Sequence, residues 1–364
     1  MKIAILGLPL SGKTELFEAL TGADGACGQR PASGNGRERR AVVRVPDERL
    51  ERLSSLFKPK KTTPAAVEYV DFAGLPVSEE GRQGFSDELM GAARAADALL
   101  VVLRAFTDAS IPHPLKSIEP LRDLKAVETE FVLSDLAIIE GRLDRLGKQA
   151  KSQKNERDLR ELRLLERCRT FLEGERPLRE FPFERDEELL VRGFRFLTQK
   201  PLILVVNIDE GAIAEETGVR ELFPGRQPHP AVEALGLSAR IEREIQQLPA
   251  DEASRFLRDF GISHSARARL IETSYRLLGL ISFFTVGEDE VKAWTVRDAT
   301  RAVEAAGAIH SDIGRGFIRA EVVGYADFIA RESLHRCRSD GALRLEGKDY
   351  PVSDGDIVNF RFAV

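Results

Sequence analysis

The chain has 364 residues, 31% of them charged and 43% hydrophobic, with a formal net charge of −5 at pH 7. That length accommodates two or three domains, each with its own core, and the acidic balance argues against wholesale nucleic-acid binding, so no DNA partner is expected. With no apolar run long enough to span a bilayer, no secretion-signal profile, and three widely spaced cysteines (Cys27, Cys168, Cys337), a soluble protein of the reducing cytoplasm is expected.

Lys2 to Leu6 is a β-type run, and Thr14 to Leu20 has helical spacing with Leu16, Phe17 and Leu20 apolar. Between them, Gly7-Leu8-Pro9-Leu10-Ser11-Gly12-Lys13-Thr14 satisfies the P-loop template G-x-x-x-x-G-K-[ST] at every fixed position. Glycines let the main chain curl so that successive N–H groups point inward, and the helix N-terminus adds positive potential. Gly7, Leu10, Ser11, Gly12, Lys13, Thr14 and Glu15 are therefore assigned to a nucleotide phosphate chain. Lys13 reaches the β and γ phosphates and the Thr14 hydroxyl serves Mg²⁺. The plain alternative is an ordinary glycine-rich βα turn.

Val67 to Val70 reads as a strand ending in Asp71-Phe72-Ala73-Gly74, a D-x-x-G pattern. It would supply a carboxylate to the metal shell (Asp71) and a γ-phosphate sensor (Gly74). Leu75 follows where Ras-type enzymes carry a water-orienting Gln. Between Pro120 and Pro177 no proline occurs, and apolar residues recur at steps of three to five. Two helices are expected there, separated by the polar stretch 152–158 and forming an antiparallel hairpin. From Arg142 to Arg169 there are ten Lys or Arg against five Asp or Glu. Such a run is compatible with a solvated helix surface or with phosphate contacts.

Leu202 to Val206 is a buried-strand run ending in Asn207-Ile208-Asp209-Glu210. Guanine-specific P-loop proteins carry N-K-x-D here; the Lys is missing, and a Glu stands where the Asp would accept from guanine. Guanine discrimination should weaken. Ser238-Ala239-Arg240 suits a loop whose N–H groups meet the base edge. After Phe283 the pattern turns to short strands with short helices between them, a β-grasp arrangement, with Ser353-Asp354-Gly355-Asp356 as the turn joining the last two strands. His310 and Asp312 lack a third partner and are read as ordinary loop residues.

These residues resemble the YchF/Obg-like ATPase family of translation-factor-related P-loop proteins. The resemblance runs through GLPLSGKTELFEALTG, VPDERLERL (45–53), KPKKTTPAAVEYVDFAGL (58–75), FLTQKPLILVVNIDE (196–210), LSARIEREI (237–245) and a C-terminal block that includes EGKDYPVSDGDIVNFRF (346–362). It implies an α/β P-loop NTPase (Ras-like) core at 1–115 and 198–278. A helical hairpin insertion at 116–197 and a C-terminal β-grasp (TGS, ubiquitin-like) domain at 279–364 would complete the chain. It further implies ATP preference through Asn207, Ile208 and Glu210, base contacts at Ser238 and Ala239, Mg²⁺ as cofactor and ribosome association through the hairpin and TGS domain. The hydrophobic Leu75 matches the family's replacement of the catalytic Gln, and His113 falls where the family has a loop histidine linked to catalysis. Two departures stand out. Leu10 occupies the position of an Asn linked to potassium activation, and the glycine- and proline-rich segment 23–40 contains no Thr for Mg²⁺. Asn35 falls nearest that Thr by spacing, and Ser33 is the nearby hydroxyl. The expected function is a slow ATPase acting as a ribosome- and translation-associated or stress-related nucleotide switch; the alternatives are a non-catalytic scaffold for RNA or protein, and a GTPase.

Overall fold

Hydrophobic runs of five to seven residues, too short for helices and too apolar to face water, become the central strands of a parallel sheet. In the computed structural model, which describes residues 1–21, 30–31, 38–72, 85–150, 155–211, 219, 222–223, 228–259 and 265–363, these strands alternate with helices through the first two-thirds of the chain. In order they are β1 (Lys2–Leu6), α1 (Lys13–Thr21), β2 (Arg30–Pro31), β3 (Arg39–Arg44), α2 (Glu48–Phe57), β4 (Lys61–Thr63), β5 (Ala66–Asp71), α3 (Asp87–Arg94) and β6 (Ala98–Arg104). Then come α4 (Pro120–Ala150), α5 (Glu156–Glu173), α6 (Arg185–Val191), β7 (Leu202–Asn207), β8 (Val232–Leu237), α7 (Ala239–Ile245), α8 (Ala250–Asp259) and α9 (Ala266–Leu277). The chain closes with β9 (Leu280–Thr285), β10 (Glu290–Arg297), α10 (Ala302–Ile309), α11 (Ser311–Arg315), β11 (Phe317–Gly324), α12 (Tyr325–Arg331), α13 (Leu334–Ser339), β12 (Arg344–Glu346) and β13 (Asp356–Phe362).

Two compact units result, one from 1–42 and 68–267, the other from 43–67 and 268–364. In the first, the sheet order is β2-β3-β5-β1-β6-β7-β8. β5, β1, β6, β7 and β8 are parallel, so their C-terminal ends share one edge. Ligands of open α/β sheets bind at that edge. Every residue of β6 and β7 is buried, which is why both read as unbroken apolar runs.

The helical insertion has its own core. Ile139, Leu146, Leu164, Leu165, Cys168 and Leu172 pack with Leu178, Phe181, Val191 and Phe196. Arg142 on α4 holds Glu161 on α5 through two bonds of 2.7 and 2.8 Å. The expected separator at 152–158 is shorter than its polarity suggested. Asn155 caps α5 by accepting from the Arg157 N–H at 3.1 Å, and Glu156 and Asp158 belong to the first helical turn, where acidic side chains favour the dipole. Asp135, buried on α4, accepts from the Leu197 and Thr198 N–H groups at 3.0 and 2.8 Å and from the Thr198 hydroxyl at 2.8 Å. Arg94 neutralises it at 3.2 Å.

The second unit is a six-stranded sheet in the order β12-β11-β13-β9-β10-β4. Its β9–β10 hairpin and the parallel pairing of β13 with β9 give the expected β-grasp arrangement. Ala302, Ala305 and Ala306 on α10 fill the core under Phe283, Phe317 and Phe360. Two sequence expectations need correction. The turn at Ser353–Asp356 lies between the last two strands in sequence, yet these strands are not neighbours, because β11 separates them. Residues 43–67 and 268–278, expected in the nucleotide-binding core, pack within this second unit. β4 pairs with the outer edge of β10 from Lys61↔Glu290 to Thr63↔Lys292, Phe57 stacks on Phe328 at 5.5 Å, and Arg49 bonds Asp354 at 2.7 Å. Covering an otherwise open strand edge is a sufficient physical reason. No helix among the described residues is long and apolar enough to cross a membrane.

Candidate nucleotide site

The turn between β1 and α1 has the geometry its glycines require. Gly7 has φ +145°, and a Cβ there would lie 2.4 Å from the Val102 carbonyl oxygen on β6. Gly12 has φ +93°, and its Cβ would lie 2.2 Å from Asn207 Nδ2. Neither position admits a side chain. Leu10 takes a left-handed φ of +61° at the exposed tip of the turn. Ser11 is buried, and its hydroxyl has no partner among the described residues. The Lys13 ammonium lies back over the loop, donating to the Gly7 and Leu8 carbonyls at 3.0 and 2.7 Å. Burial pulls its pKa down to about 8, the negative charge of Asp71 acting in the opposite sense. Thr14 is exposed in the first turn of α1, and Glu15 faces Arg243 at 3.5 Å.

Asn207, at the end of β7, ties two parts of the site together. Its Nδ2 donates to the Ser11 carbonyl at 3.1 Å and its Oδ1 accepts from the Ala239 N–H at 3.0 Å. The Ala239 N–H, expected to face a base edge, is therefore already bonded, and Asn207 is a clamp between the P-loop and the 238–240 turn. Ser238 is spent locally as well, its Oγ capping α7 through Ile241 N–H. The Ile208 N–H donates to Leu237 at 2.9 Å, continuing the sheet. Glu210 stays exposed at the rim, 3.4 Å from Arg240. Asp209 anchors the neighbouring loop by accepting from the Thr107 N–H and hydroxyl at 2.9 to 3.1 Å.

Asp71, the last residue of β5, is fully buried. Its Oδ2 accepts from Arg39, through Nε at 3.2 Å and through Nη2, while its Oδ1 has no hydrogen-bond partner among the described residues. An orphaned buried carboxylate oxygen suits a hydrated divalent cation, so Asp71 fits the expected Mg²⁺ role. No group of three or more His, Cys, Asp or Glu side chains among the described residues could hold a metal without help from a phosphate. Gly74, Leu75, Ser33 and Asn35 lie outside the described residues.

His113 lies in the loop between β6 and α4. Its Nδ1 accepts from the Leu115 N–H at 3.1 Å, which leaves Nε2 to donate to Asp123 at 2.9 Å, and the ring is almost fully buried. With both nitrogens engaged, the histidine ties the 105–119 segment to the start of α4. In this geometry both ring nitrogens are committed to hydrogen bonds within the protein.

Two site-shaping arginines escaped the sequence reading. Arg104 ends the otherwise apolar β6; buried, it donates to the carbonyls of Phe106, Asp108, Ile111 and Pro112 at 2.9 to 3.3 Å and lies 4.5 Å over the Phe106 ring. A cation closing a central parallel strand was the available signal. Arg39, the first residue of β3, gave none beyond its place in an arginine-rich run.

A family model described as a 50S ribosome-binding GTPase matches residues 2–139. A second, for the C-terminal region of YchF GTPases and described as a protein of unknown function, matches residues 280–363. The ribosome-binding ATPase YchF of Bacillus subtilis is 38% identical over 99% of this chain and 98% of its own. Its namesake from Escherichia coli O157:H7 is 34% identical over 100% of this chain and 99% of its own. The solved structure of the Schizosaccharomyces pombe YchF GTPase shares 29% identity and a TM-score of 0.88, covering 99% of this chain and 97% of that one. Matched from end to end, with a P-loop core and the YchF C-terminal region both present, the chain belongs to the YchF family.

Proposed function

We propose that this protein binds ATP with Mg²⁺, hydrolyses it slowly and couples its nucleotide state to the ribosome. The observation that carries the reading is the P-loop, in which Gly7 and Gly12 admit no side chain and Lys13 waits over main-chain carbonyls at the start of α1. Full-length similarity to proteins named ribosome-binding ATPases supports the hydrolytic and ribosomal parts. The helical insertion (116–197), whose sequence carries ten Lys or Arg against five Asp or Glu from Arg142 to Arg169, and the C-terminal domain (279–364) are the surfaces we assign to the ribosome.

In this reading Lys13 exchanges its two carbonyl acceptors for phosphate oxygens, a change that a charge-assisted bond favours. Thr14 and Asp71 would hold Mg²⁺, which when bound neutralises charge on the β and γ phosphates. Glu210 at the rim would accept from the adenine amino group, and Arg240 would orient it. Relatives named ATPases and a solved relative titled a GTPase stand on opposite sides of this base assignment. Titration of ATP and GTP with and without Mg²⁺ decides it. ATP binding about tenfold tighter is expected, and GTP tighter by that factor overturns the role of Glu210.

One alternative has specific support. His113 has both nitrogens engaged, and Asp71 is paired with Arg39, as in a nucleotide-holding scaffold that does no chemistry. Single-turnover hydrolysis with and without ribosomes, against a Lys13→Ala control, separates the two. A ribosome-stimulated rate above the control supports the switch; no rate above it leaves the scaffold.

A further inference from the structure

Asp71 is fully buried, and a carboxylate at that depth calls for a compensating cation. Among the described residues its ion-pair partner is Arg39, whose Nε and Nη2 both address Oδ2 and leave Oδ1 unpaired. Arg39 is not trapped. Its side chain is 37% exposed, Glu18 of α1 lies 3.7 Å from its Nη1, and its guanidinium sits 4.9 Å over the Phe17 ring. The arginine thus touches two anions, one deep on β5 and one at the surface on α1.

From this arrangement we propose that Arg39 is a built-in rival of the divalent cation: it neutralises Asp71 when no cation is bound, and Mg²⁺-nucleotide displaces it toward Glu18. This rests on the nucleotide-binding reading above and on Asp71 as the carboxylate of the metal shell. The chemistry on each side is balanced. Without Mg²⁺, Arg39 spares an incoming triphosphate the repulsion of a bare buried carboxylate. With Mg²⁺, two cations compete for one carboxylate: the metal's water shell would take the unpaired Oδ1, and repulsion between the cations would drive the arginine off Oδ2. Glu18 and Phe17 lower the cost of that exchange, because the departing guanidinium retains an ion pair and a ring contact. Nucleotide binding therefore depends weakly on Mg²⁺, and the position of the first residue of β3 reports on whether the cation is present.

The test is calorimetric titration of ATP into the full chain and into Arg39→Ala, each in Mg²⁺ and in EDTA, with circular dichroism as the folding control. In Arg39→Ala the triphosphate meets a bare Asp71 in EDTA and an uncontested one in Mg²⁺. The ratio of the two dissociation constants should rise about tenfold or more over the parent ratio. Arg39→Lys should fall between the two. Manganese binding followed by electron paramagnetic resonance, in the presence of ADP, should tighten in Arg39→Ala by a similar factor. If Arg39→Ala misfolds, Arg39→Gln, which keeps a hydrogen bond and loses the charge, carries the same expectation. ATP binding with an unchanged Mg²⁺ ratio overturns the rivalry and leaves a structural ion pair. No ATP binding to the parent chain under either condition overturns the nucleotide reading itself, and this inference with it.

Discussion

The carboxamide nitrogen of Asn207 lies 2.2 Å from where a Cβ on Gly12 would stand, so the P-loop and the end of β7 meet with no space for a methyl group. Gly12→Ala must push Asn207 off its bonds to Ser11 and Ala239 as well as adopt φ +93°, a conformation L-residues avoid. Loss of about 1–3 kcal/mol of stability is expected from the unpaired buried groups. ATP and GTP affinities should fall together, because what breaks is a clamp and not a base contact. Thermal unfolding and parallel titrations check this; a change in the ATP-to-GTP ratio would show that Asn207 reads the base.

Lys13 makes nucleotide binding sensitive to pH in a stated direction. Its pKa lies at about 8, below the ordinary 10.5, because burial disfavours the ammonium. Bound phosphate favours the charged form, so affinity should be flat below the lowered pKa and fall as pH rises through it. Above about pH 8 binding should take up protons, approaching one per site. For folding the sign is opposite in feel but follows the same logic. Between about 8 and 10.5 the unfolded chain holds more protons than the folded one, so this group's contribution to stability rises with pH across that window. Calorimetry in two buffers of different ionisation enthalpy measures the uptake, and Lys13→Arg, charged throughout, should abolish it.

His113 and Asp123 form a buried hydrogen-bonded pair. His113→Ala removes the acceptor of the Leu115 N–H and the partner of Asp123, and should cost about 1–3 kcal/mol of stability. The rate of single-turnover hydrolysis, scaled to the folded fraction, should change less than about threefold, far short of the hundredfold or more of a lost general base. A loss of that larger size, with stability intact, would make His113 a catalytic group.

Asp135 is the buried joint of the helical insertion. Replacing it by Ala leaves the Leu197 and Thr198 N–H groups without their acceptor and Arg94 without its counter-charge, and should cost about 3–5 kcal/mol, the usual penalty for breaking a buried charged pair. Urea unfolding of Asp135→Ala against the parent chain measures it. Nucleotide affinity extrapolated to zero denaturant should stay within about threefold, since none of these groups belongs to the P-loop.

Much of this molecule was legible in its residue order, and the reason is locality. The P-loop is eight consecutive residues whose spacing and flanking periodicities are all short-range, and the structure bends the chain there as those glycines require. Apolar runs such as ALLVVLR and LILVVN became fully buried parallel strands, and the proline-free stretch after Pro120 became the helices of the insertion. Their periods are properties of single segments.

What only the tertiary structure decided depends on partners far apart in the chain. Asn207 and Ser11 are 196 positions apart, and nothing near either residue shows that the amide would bond one loop to the other. Arg39 and Asp71 are separated by 32 positions, and the arginine's run resembles any solvated charged stretch. Residues 43–67 join the β-grasp sheet because the edge of β10 accepts β4, a choice made by hydrogen-bonding groups about 230 positions away. Periodicity sets which face of an element is apolar; which other element it meets, and which charge it finds there, is settled only when the whole chain closes on itself.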